Sequence, residues 1–549
     1  MANNEHKIIT LNVAQYEYSL QKPHSATCIW GRGTGKTTGP GVEHCLSCVL
    51  EMPRSNGAIV GATFSQLLTR TLPPLVAQWE AMGFVRDVHF FIGRKPLKKF
   101  KFPKAYTTPI DPKYYISWYN GSGIYLVSQD RPGSSNGISV DWYYGDEAKF
   151  LKLKKLDDEF LPSIRGNRQY FEGNPKYQGG LFTSDMPTTK EGMWLLANEN
   201  KMDVKLIALI RKIALQVMYL QGEMPKLSAR KQRLNQIEIL KYNKMLKQLR
   251  GKSYYYSEFS SYDNIEVLGE ATLRRWKRDM SPMAYQTSVL NQRLNTGGLD
   301  FYPMLEPDKH YYSMNDNSFL DAMGYDFSQA ANINWKHDAD INKSKALDIA
   351  CDYGGSINTI VVAQEHIGQG KYRELRFLNC FYRTHPGLIQ DVVELFCNYY
   401  DGYPTKVVNF YYDHTAKASY ANITSTYKDS VEEAFRKHGW RVNPIYIGQT
   451  PRHSDRYELW NNILKGDGYS DPLPRFNRNN CHWLITSMEN AKIKETNKGV
   501  GKDKGDEQKD VDQRGTTHFS DAADTILVAK MANLMMGSTE VSEPVFMGR

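Results

Sequence analysis

Residues 27–38 read TCIWGRGTGKTT, a short apolar run that passes directly into a glycine-rich turn carrying one lysine and two threonines. A strand that feeds such a loop and then a helix aims backbone N–H groups and the positive end of the helix dipole at one point, which suits phosphate. That requirement restricts the fold to a sheet of mainly parallel strands with crossover helices. Gly31, Arg32, Gly33, Thr34, Gly35 and Thr38 form the expected cradle for ATP. Lys36 is placed to reach the β and γ phosphates, and the Thr37 hydroxyl to hold Mg²⁺. In the strict pattern a glycine precedes Gly35 by five residues; here that position is Trp30, so Gly31 and Gly33 are expected to supply the backbone freedom.

A second motif completes the nucleotide site. After the turn-rich stretch 131–137, the run Ile138 to Tyr144 is apolar or aromatic with one interruption, as a buried strand would be, and it leads to Asp146 and Glu147. Carboxylates at the carboxyl end of such a strand face the phosphates. Asp146 is expected in the Mg²⁺ shell, and Glu147 as the base that orients and deprotonates the attacking water. Gly57 to Ala62, Ile124 to Ser128 and Gly180 to Ser184 read as further strands. Thr183 and Ser184, at the end of the last of these, are candidate sensors of the γ phosphate, although a hydroxyl turn before Pro187 fits the same letters.

At 549 residues the chain exceeds one ordinary core, and a 41% hydrophobic content is enough to fill two. A net charge of +9 favours a polyanionic partner such as nucleic acid. The seven cysteines are odd in number, and only Cys45 and Cys48 form a CxxC pair, so we expect reduced core thiols and no zinc site. Residues 1–21 are polar, and no stretch approaches membrane-spanning length, which leads us to expect a soluble intracellular protein with no membrane partner. RKPLKKFKFPK, from Arg94 to Lys104, interleaves six basic residues with Leu97, Phe100 and Phe102. A DNA-backbone contact and a solvated insertion explain it equally well. Val204 to Arg250 is long, basic and helical in its spacing, and the periodicity lapses from about 301 to 335. We therefore expect a first domain over 1–300 with a helical insertion at about 204–250, a linker over 301–335, a second domain over 336–535 and a tail over 536–549.

The second domain carries four carboxylates of interest. Leu347 to Asp352 and Thr359 to Ala363 read as strands joined by a glycine turn, and Asp348 and Asp352 share a face of the first. Asp352, nearer the turn, is the better metal ligand of the two. Val407 to Tyr412 is another strand, ending in Asp413. Phe519 to Leu527 starts a small-residue helix with Asp521 and Asp524 on one face. Two strand-end aspartates with one or two on a late helix are what a pair of divalent ions, roughly 3.5 to 4 Å apart, requires to clamp a phosphodiester. Any one of these could instead be a turn cap, Asp521 especially.

Taken together, GRGTGKTT, GISVDWYYGDEAKF, LFTSDMP, YDNIEVLGEATLRRW, MAYQTSVLNQRLN, DIACDYGG, FYYDHTA and HFSDAADTI resemble the motifs of phage terminase large subunits, in order, over roughly residues 28–529. The resemblance implies a RecA-like P-loop ATPase followed by an RNase H-like nuclease, α/β in both halves. It implies ATP-driven translocation of double-stranded viral DNA into a procapsid, with metal-dependent endonuclease cleavage of concatemers at the start and end of packaging. It further implies ATP with Mg²⁺ in the first site and two Mg²⁺ or Mn²⁺ in the second. The implied partners are double-stranded DNA, a portal protein, a small terminase subunit and further copies of the chain in a ring. The implied setting is the host cytoplasm, transiently at the portal and outside the mature virion. By motif position Lys36, Asp146, Glu147, Thr183 and Ser184 fall in the ATPase, and Asp352, Asp413 and Asp521 or Asp524 in the nuclease. Asp348 against Asp352, and Asp521 against Asp524, stay open, since both members of each pair fit.

The stretch Lys492 to Gly515 reads as a mobile linker, with a gate to the nuclease as the alternative that the resemblance allows. Arg32 and Arg165 are candidates, in cis and in trans, for the arginine that completes the ATP site. Two other functions fit part of the pattern. A repair helicase with a nuclease would need further Arg and Gln motifs after LFTSDMP, which are not found; an inactive nucleotide-gated capsid adaptor would not need Glu147.

Overall fold

Strand β1 (Ser25–Trp30) is buried from Ala26 to Trp30, because it lies within a sheet covered on both faces. Cys28 and Trp30 point to one core, and Ile29 to the other. The computed structural model describes residues 10–131, 137–280, 285–293, 299–316, 318, 333–368, 372–418, 426–466, 472–496, 499–508 and 511–537. They form two compact units, one within Met1–Leu294 and one within Asn295–Asp316 and Ile333–Arg549. Most of the expected C-terminal tail and part of the expected linker lie outside the described residues. Among the described residues no helix is long and apolar enough to cross a membrane.

In the first unit β2 (Asn56–Gly61), β3 (Phe90–Ile92), β4 (Tyr115–Trp118), β5 (Gly123–Ser128), β6 (Trp142–Gly145), β7 (Gly180–Ser184) and β8 (Tyr254–Phe259) join β1 in one sheet. Its order is β3, β4, β5, β2, β6, β7, β1, β8. The strands from β5 to β8 run parallel, and β3 and β4 extend that sheet as antiparallel edge strands. β7 therefore lies between the strand that ends in the glycine-rich loop and the strand that ends in Asp146 and Glu147.

One expected strand is shorter than its letters imply. The apolar run from Ile138 enters the sheet late, because the backbone of Val140 pairs with Ser163 O (2.9 Å) and Gly166 N (3.0 Å); Asp141 then donates its N–H to Asn56 O (2.6 Å), while its carboxylate accepts from the backbone N–H of Asn56 (2.7 Å) and of Asn167 (2.6 Å). The helical insertion is two helices, Val204–Glu223 and Ala229–Arg250. Pro225, in the short turn between them, cannot donate to the helical ladder. The pair packs with Leu20 of helix Val13–Gln21 through Ile210, Ile213, Val217 and Leu246.

The second unit is built on β9 (Tyr311–Tyr312), β10 (Leu347–Tyr353), β11 (Ile357–Ile367), β12 (Arg373–Thr384), β13 (Val407–Tyr412), β14 (Arg441–Tyr446) and β15 (Leu473–Asn477). Their order is β14, β13, β10, β11, β12, β15, β9. β10, β11 and β12 form an antiparallel meander, while β13 and β14 add in parallel beside β10. This is the RNase H-like order: three antiparallel strands, then two parallel ones on the side of the first. Both units are thus α/β, as expected. Helices Ile389–Tyr399 and Tyr427–Lys437 cover one face, and helix His518–Gly537 the other. Ala522 and Ala523 let the last helix lie close to the sheet, which carries its first turn toward the ends of β10 and β13. The stretch expected as a mobile linker contains a hairpin, β16 (Ile493–Thr496) with β17 (Gly499–Lys502).

Gly57 faces Trp142 across the sheet, and a Cβ there would lie 2.2 Å from the indole. Gly222, within a helix, has nothing within 4 Å of that position. Gly57→Ala is expected to cost about 1–3 kcal/mol by overpacking, and Gly222→Ala to stabilise by about 0.5–1 kcal/mol. Urea unfolding of the two variants checks the opposite signs.

Candidate active sites

The glycine-rich loop is held by its carbonyl oxygens. Asn12 Nδ2 donates to Thr34 O (2.9 Å), Gln15 Nε2 to Gly35 O (3.1 Å), Asn264 Nδ2 to Gly33 O (2.7 Å) and Ser261 Oγ to Arg32 O (2.6 Å). Of these, only Asn264 falls in a motif noted in the sequence, YDNIEVLGEATLRRW; side chains that grip a backbone have no local signature of their own. Left-handed backbone falls at Gly33 (φ 75°) and Gly35 (φ 72°). Gly31, expected to supply such freedom, is instead required by crowding, since a Cβ would meet Ser261 N at 2.8 Å and Val289 O at 2.9 Å. Trp30 is a core residue whose indole N–H donates to Ser257 Oγ (2.9 Å). A glycine there would remove that packing.

Asp146 is 2% exposed and joins three elements. It accepts from Thr183 Oγ1 (2.7 Å) through Oδ1 and from Thr37 Oγ1 (3.4 Å) through Oδ2. Tyr144 OH lies 3.1 Å from the same Thr183 hydroxyl. Thr183 and Ser184 are thus the last residues of β7 and form no turn; Ser184 Oγ accepts from the Lys149 backbone N–H (3.3 Å). Lys36 reaches Trp30 O (3.2 Å). Glu147 adopts a left-handed backbone (φ 49°), which costs energy for a residue with a Cβ and places its side chain beside Asp146 and Lys36. Burial raises its carboxyl above the usual range, and the nearby Asp185 adds to this. Asp185 is itself held at about 2: burial opposes ionisation, but Lys149, which pairs with it, and Lys36 prevail. Arg32 is exposed on the loop, whereas Arg165 is exposed beside Val140, at the opposite end of β6 from Asp146.

Cys45 and Cys48 face the core of the helix after the loop, where burial pushes both thiols well up, Cys48 to about 12. They are free and buried.

In the second unit, parallel pairing of Ala350 with Tyr411 brings Asp352 and Asp413, each two residues further, to neighbouring strand ends. Both line a pocket of about 140 Å³ with Asp521, Thr415, Thr450, Arg456 and Lys504. Asp413 accepts from Thr415 N (2.9 Å) and from the Thr450 hydroxyl. Asp352 pairs with His518 Nδ1 at 2.6 Å. Burial alone would lower the His518 pKa, but the Asp352 hydrogen bond outweighs it. Asp348 stands apart, buried and paired with Lys530 (2.7 Å) and Asn409 Nδ2 (2.9 Å).

Asp524, left open with Asp521 as a carboxylate that approaches the ions, is enclosed by donors of the protein itself. Its side chain is fully buried, and four donors occupy its oxygens: Tyr302 OH (2.9 Å), Trp460 Nε1 (2.6 Å), Arg456 Nη1 (2.8 Å) and Lys502 Nζ (2.9 Å). Asp521 does line the pocket. Burial would raise its pKa, but Lys502, Lys504 and Arg456 hold it well below the carboxylate range. Lys502, at the end of β17, bridges Asp521 (2.7 Å) and Asp524 from a fully buried position. The oxygen donors Asp352, Asp413 and Asp521 suit a hard divalent cation. Among the described residues, however, no three acidic, histidine or cysteine side chains are drawn together as ligands of one ion, and cations sit on Asp352 and Asp521 instead.

No family model and no curated protein matches the chain. Among solved structures it is similar to the large terminase of a thermophilic bacteriophage in complex with ADP, at 12% identity and a TM-score of 0.37, over 95% of this chain and 100% of that one. It is also similar to the large terminase ATPase domain of Thermus phage P74-26, at 13% identity and a TM-score of 0.30, over 52% of this chain and 94% of that one. A third likeness, to the Phi-28 gp11 DNA packaging motor, has 9% identity and a TM-score of 0.19, over 81% of this chain and 95% of that one. Its structural neighbours are thus phage large terminases and a packaging motor, but superpositions this loose say nothing about activity.

Removing one partner from a buried ion network is expected to cost about 3–5 kcal/mol. Asp524→Ala should therefore lower the urea midpoint of the second unit substantially, while Asp352→Asn, at a partly open pocket, shifts it little. Equal midpoints would contradict the structural role given to Asp524.

Proposed function

We propose that the chain is the large subunit of a phage terminase: it hydrolyses ATP to drive double-stranded DNA into a procapsid and cuts that DNA with a second, metal-dependent site. The observation that carries this reading is the Thr37, Asp146 and Thr183 constellation beside Glu147, in the same chain as the strand-end pair Asp352 and Asp413. In the first unit the loop N–H groups not used within the protein, with Lys36, would bind the phosphates, Thr37 and Asp146 would provide oxygens for Mg²⁺, and Glu147 would take the proton of the attacking water. Thr183 hydrogen-bonds Asp146 and connects β7 to that carboxylate, so a change at the γ phosphate has a direct path into the sheet.

In the second unit Asp352, Asp413 and Asp521 would hold two Mg²⁺ or Mn²⁺ ions, which when bound stabilise the attacking and leaving oxygens of a phosphodiester. The threonines on Asp413 and the imidazole on Asp352 orient those carboxylates. Asp348 and Asp524 hold the fold around them. The DNA, the portal, the small subunit and the ring of copies belong to this proposal, as does a site of action in the host cytoplasm. We also propose a division into two domains, in which Phe301 to Tyr312, expected as linker, pack into the second.

The test is a set of single variants of the full chain. Lys36→Ala and Glu147→Gln should each lower ATP turnover by at least about 100-fold, Lys36→Ala by weakening nucleotide binding and Glu147→Gln with nucleotide still bound. Both should still cut plasmid DNA with Mn²⁺. Asp413→Asn should reverse the pattern. Cleavage in EDTA, or an Asp413 variant of full activity, would overturn the nuclease reading; near-normal hydrolysis by the Glu147 variant would overturn the base.

A further inference from the structure

The basic run from Arg94 to Lys104 belongs to neither site, and its setting is not that of a loose solvated insertion. Phe91, Phe100 and Phe102 cluster with centroids 5.8 to 5.9 Å apart, and Arg94 pairs with Asp87 (2.5 Å). Arg54 Nε donates to Lys104 O (2.8 Å) and Asn56 Nδ2 to Thr107 O (2.6 Å), which pins the segment to the start of β2. On this frame Lys95, Lys98, Lys101 and Lys104 are exposed and line one groove of about 690 Å³. Among the described residues none of the four is paired with a carboxylate.

A second groove, of about 820 Å³, is lined by Lys244, Lys247 and Lys252, together with Arg168, which pairs with Glu172 in the same groove (2.5 Å). The two grooves lie at one end of the sheet. Gly121 and Ser122, just ahead of β5, line the first, and His24 and Gln178, just ahead of β1 and β7, line the second. Lys36, Asp146 and Glu147 are at the other end of the sheet, after β1 and β6. Tyr106 stacks on Tyr170 at 3.7 Å with an interplanar angle of 7°, joining the lysine-bearing segment to the helix that carries Arg168.

Like charges gathered this way repel one another, and a polyanion relieves that repulsion. An acidic peptide needs one groove with an apolar anchor, which Leu97 and Ile110 would offer. Two basic grooves joined along one edge fit a longer, regularly charged chain better. We propose that this edge of the ATP-binding unit, opposite the nucleotide, contacts the phosphate backbone of duplex DNA without reading its sequence. The inference rests on the reading above in taking DNA as the substrate, and it adds which face grips it. Lysines serve here because a strand that must move needs contacts that are strong in sum and interchangeable singly.

The test is fluorescence anisotropy of a fluorescein-labelled duplex oligonucleotide of mixed sequence, titrated with the full chain at several salt concentrations. Four lost phosphate contacts should make the slope of log K against log salt shallower by about 3 to 4 in the variant that combines Lys95→Gln, Lys98→Gln, Lys101→Gln and Lys104→Gln. Its ATP hydrolysis without DNA should equal that of the wild type, and stimulation by DNA should fall. Combining Lys244→Gln, Lys247→Gln and Lys252→Gln should flatten the slope by about 2 to 3. An unchanged slope in either variant would overturn the continuous edge. Loss of poly-L-glutamate binding with duplex binding intact would assign the first groove to an acidic protein partner instead. If the wild type bound no duplex even at low salt, the packaging reading itself would fail.

Discussion

The Asp146 carboxylate is the point on which the first unit is organised. A buried carboxylate is costly unless its oxygens are occupied, and here the occupants are the hydroxyls of Thr37 on the loop helix and Thr183 on β7. Because β7 lies between β1 and β6, one hydroxyl reaches Asp146 from the neighbouring strand and the other from the helix that follows β1. The same two hydrogen bonds therefore tie the loop helix, the acidic strand end and β7 together. The loop gains stiffness from side-chain amides on its carbonyls and from the N–H groups of Gly31 and Arg32, which donate to Phe259 O (2.8 Å) and Ser288 O (2.6 Å).

The second unit solves a related problem with ion pairs. Asp521 and Asp524 lie within one turn of helix, and Lys502 and Arg456 sit between them, fully or nearly fully buried. Asp524 is thereby fixed as part of the frame, while Asp521 keeps one face toward the pocket. The hairpin that carries Lys502 is held to the late helix by this charge.

Much of this was legible in the letters, and what was not has physical reasons. Glycines beside a lysine and two threonines marked the loop, strand-end aspartates marked both acidic sites, and the alanines from Ala522 onward marked a helix able to lie close to a sheet. These are local patterns. Ile138 to Val140 misled because an apolar run does not reveal that the backbone of Val140 pairs with Ser163 and Gly166 rather than with a strand. The surroundings of Asp524 were beyond the letters for the opposite reason: helical spacing puts it on a face with Asp521, but only the fold brings Tyr302, Trp460, Arg456 and Lys502 onto it. His518 was within reach, being three residues before Asp521 on the same helix. Lys502 was not, because a lysine in a polar, glycine-rich stretch has the signature of a solvated linker.

The central claim is that Thr37 and Asp146 together form the magnesium half of a nucleotide site. Binding of a fluorescent ATP analogue, with Mg²⁺ and in EDTA, tests it most directly when the wild type is set beside Asp146→Asn. The account predicts that both proteins bind the nucleotide in EDTA, and that only the wild type binds it more tightly when Mg²⁺ is added. An Asp146→Asn protein with the full Mg²⁺-dependent gain would contradict it.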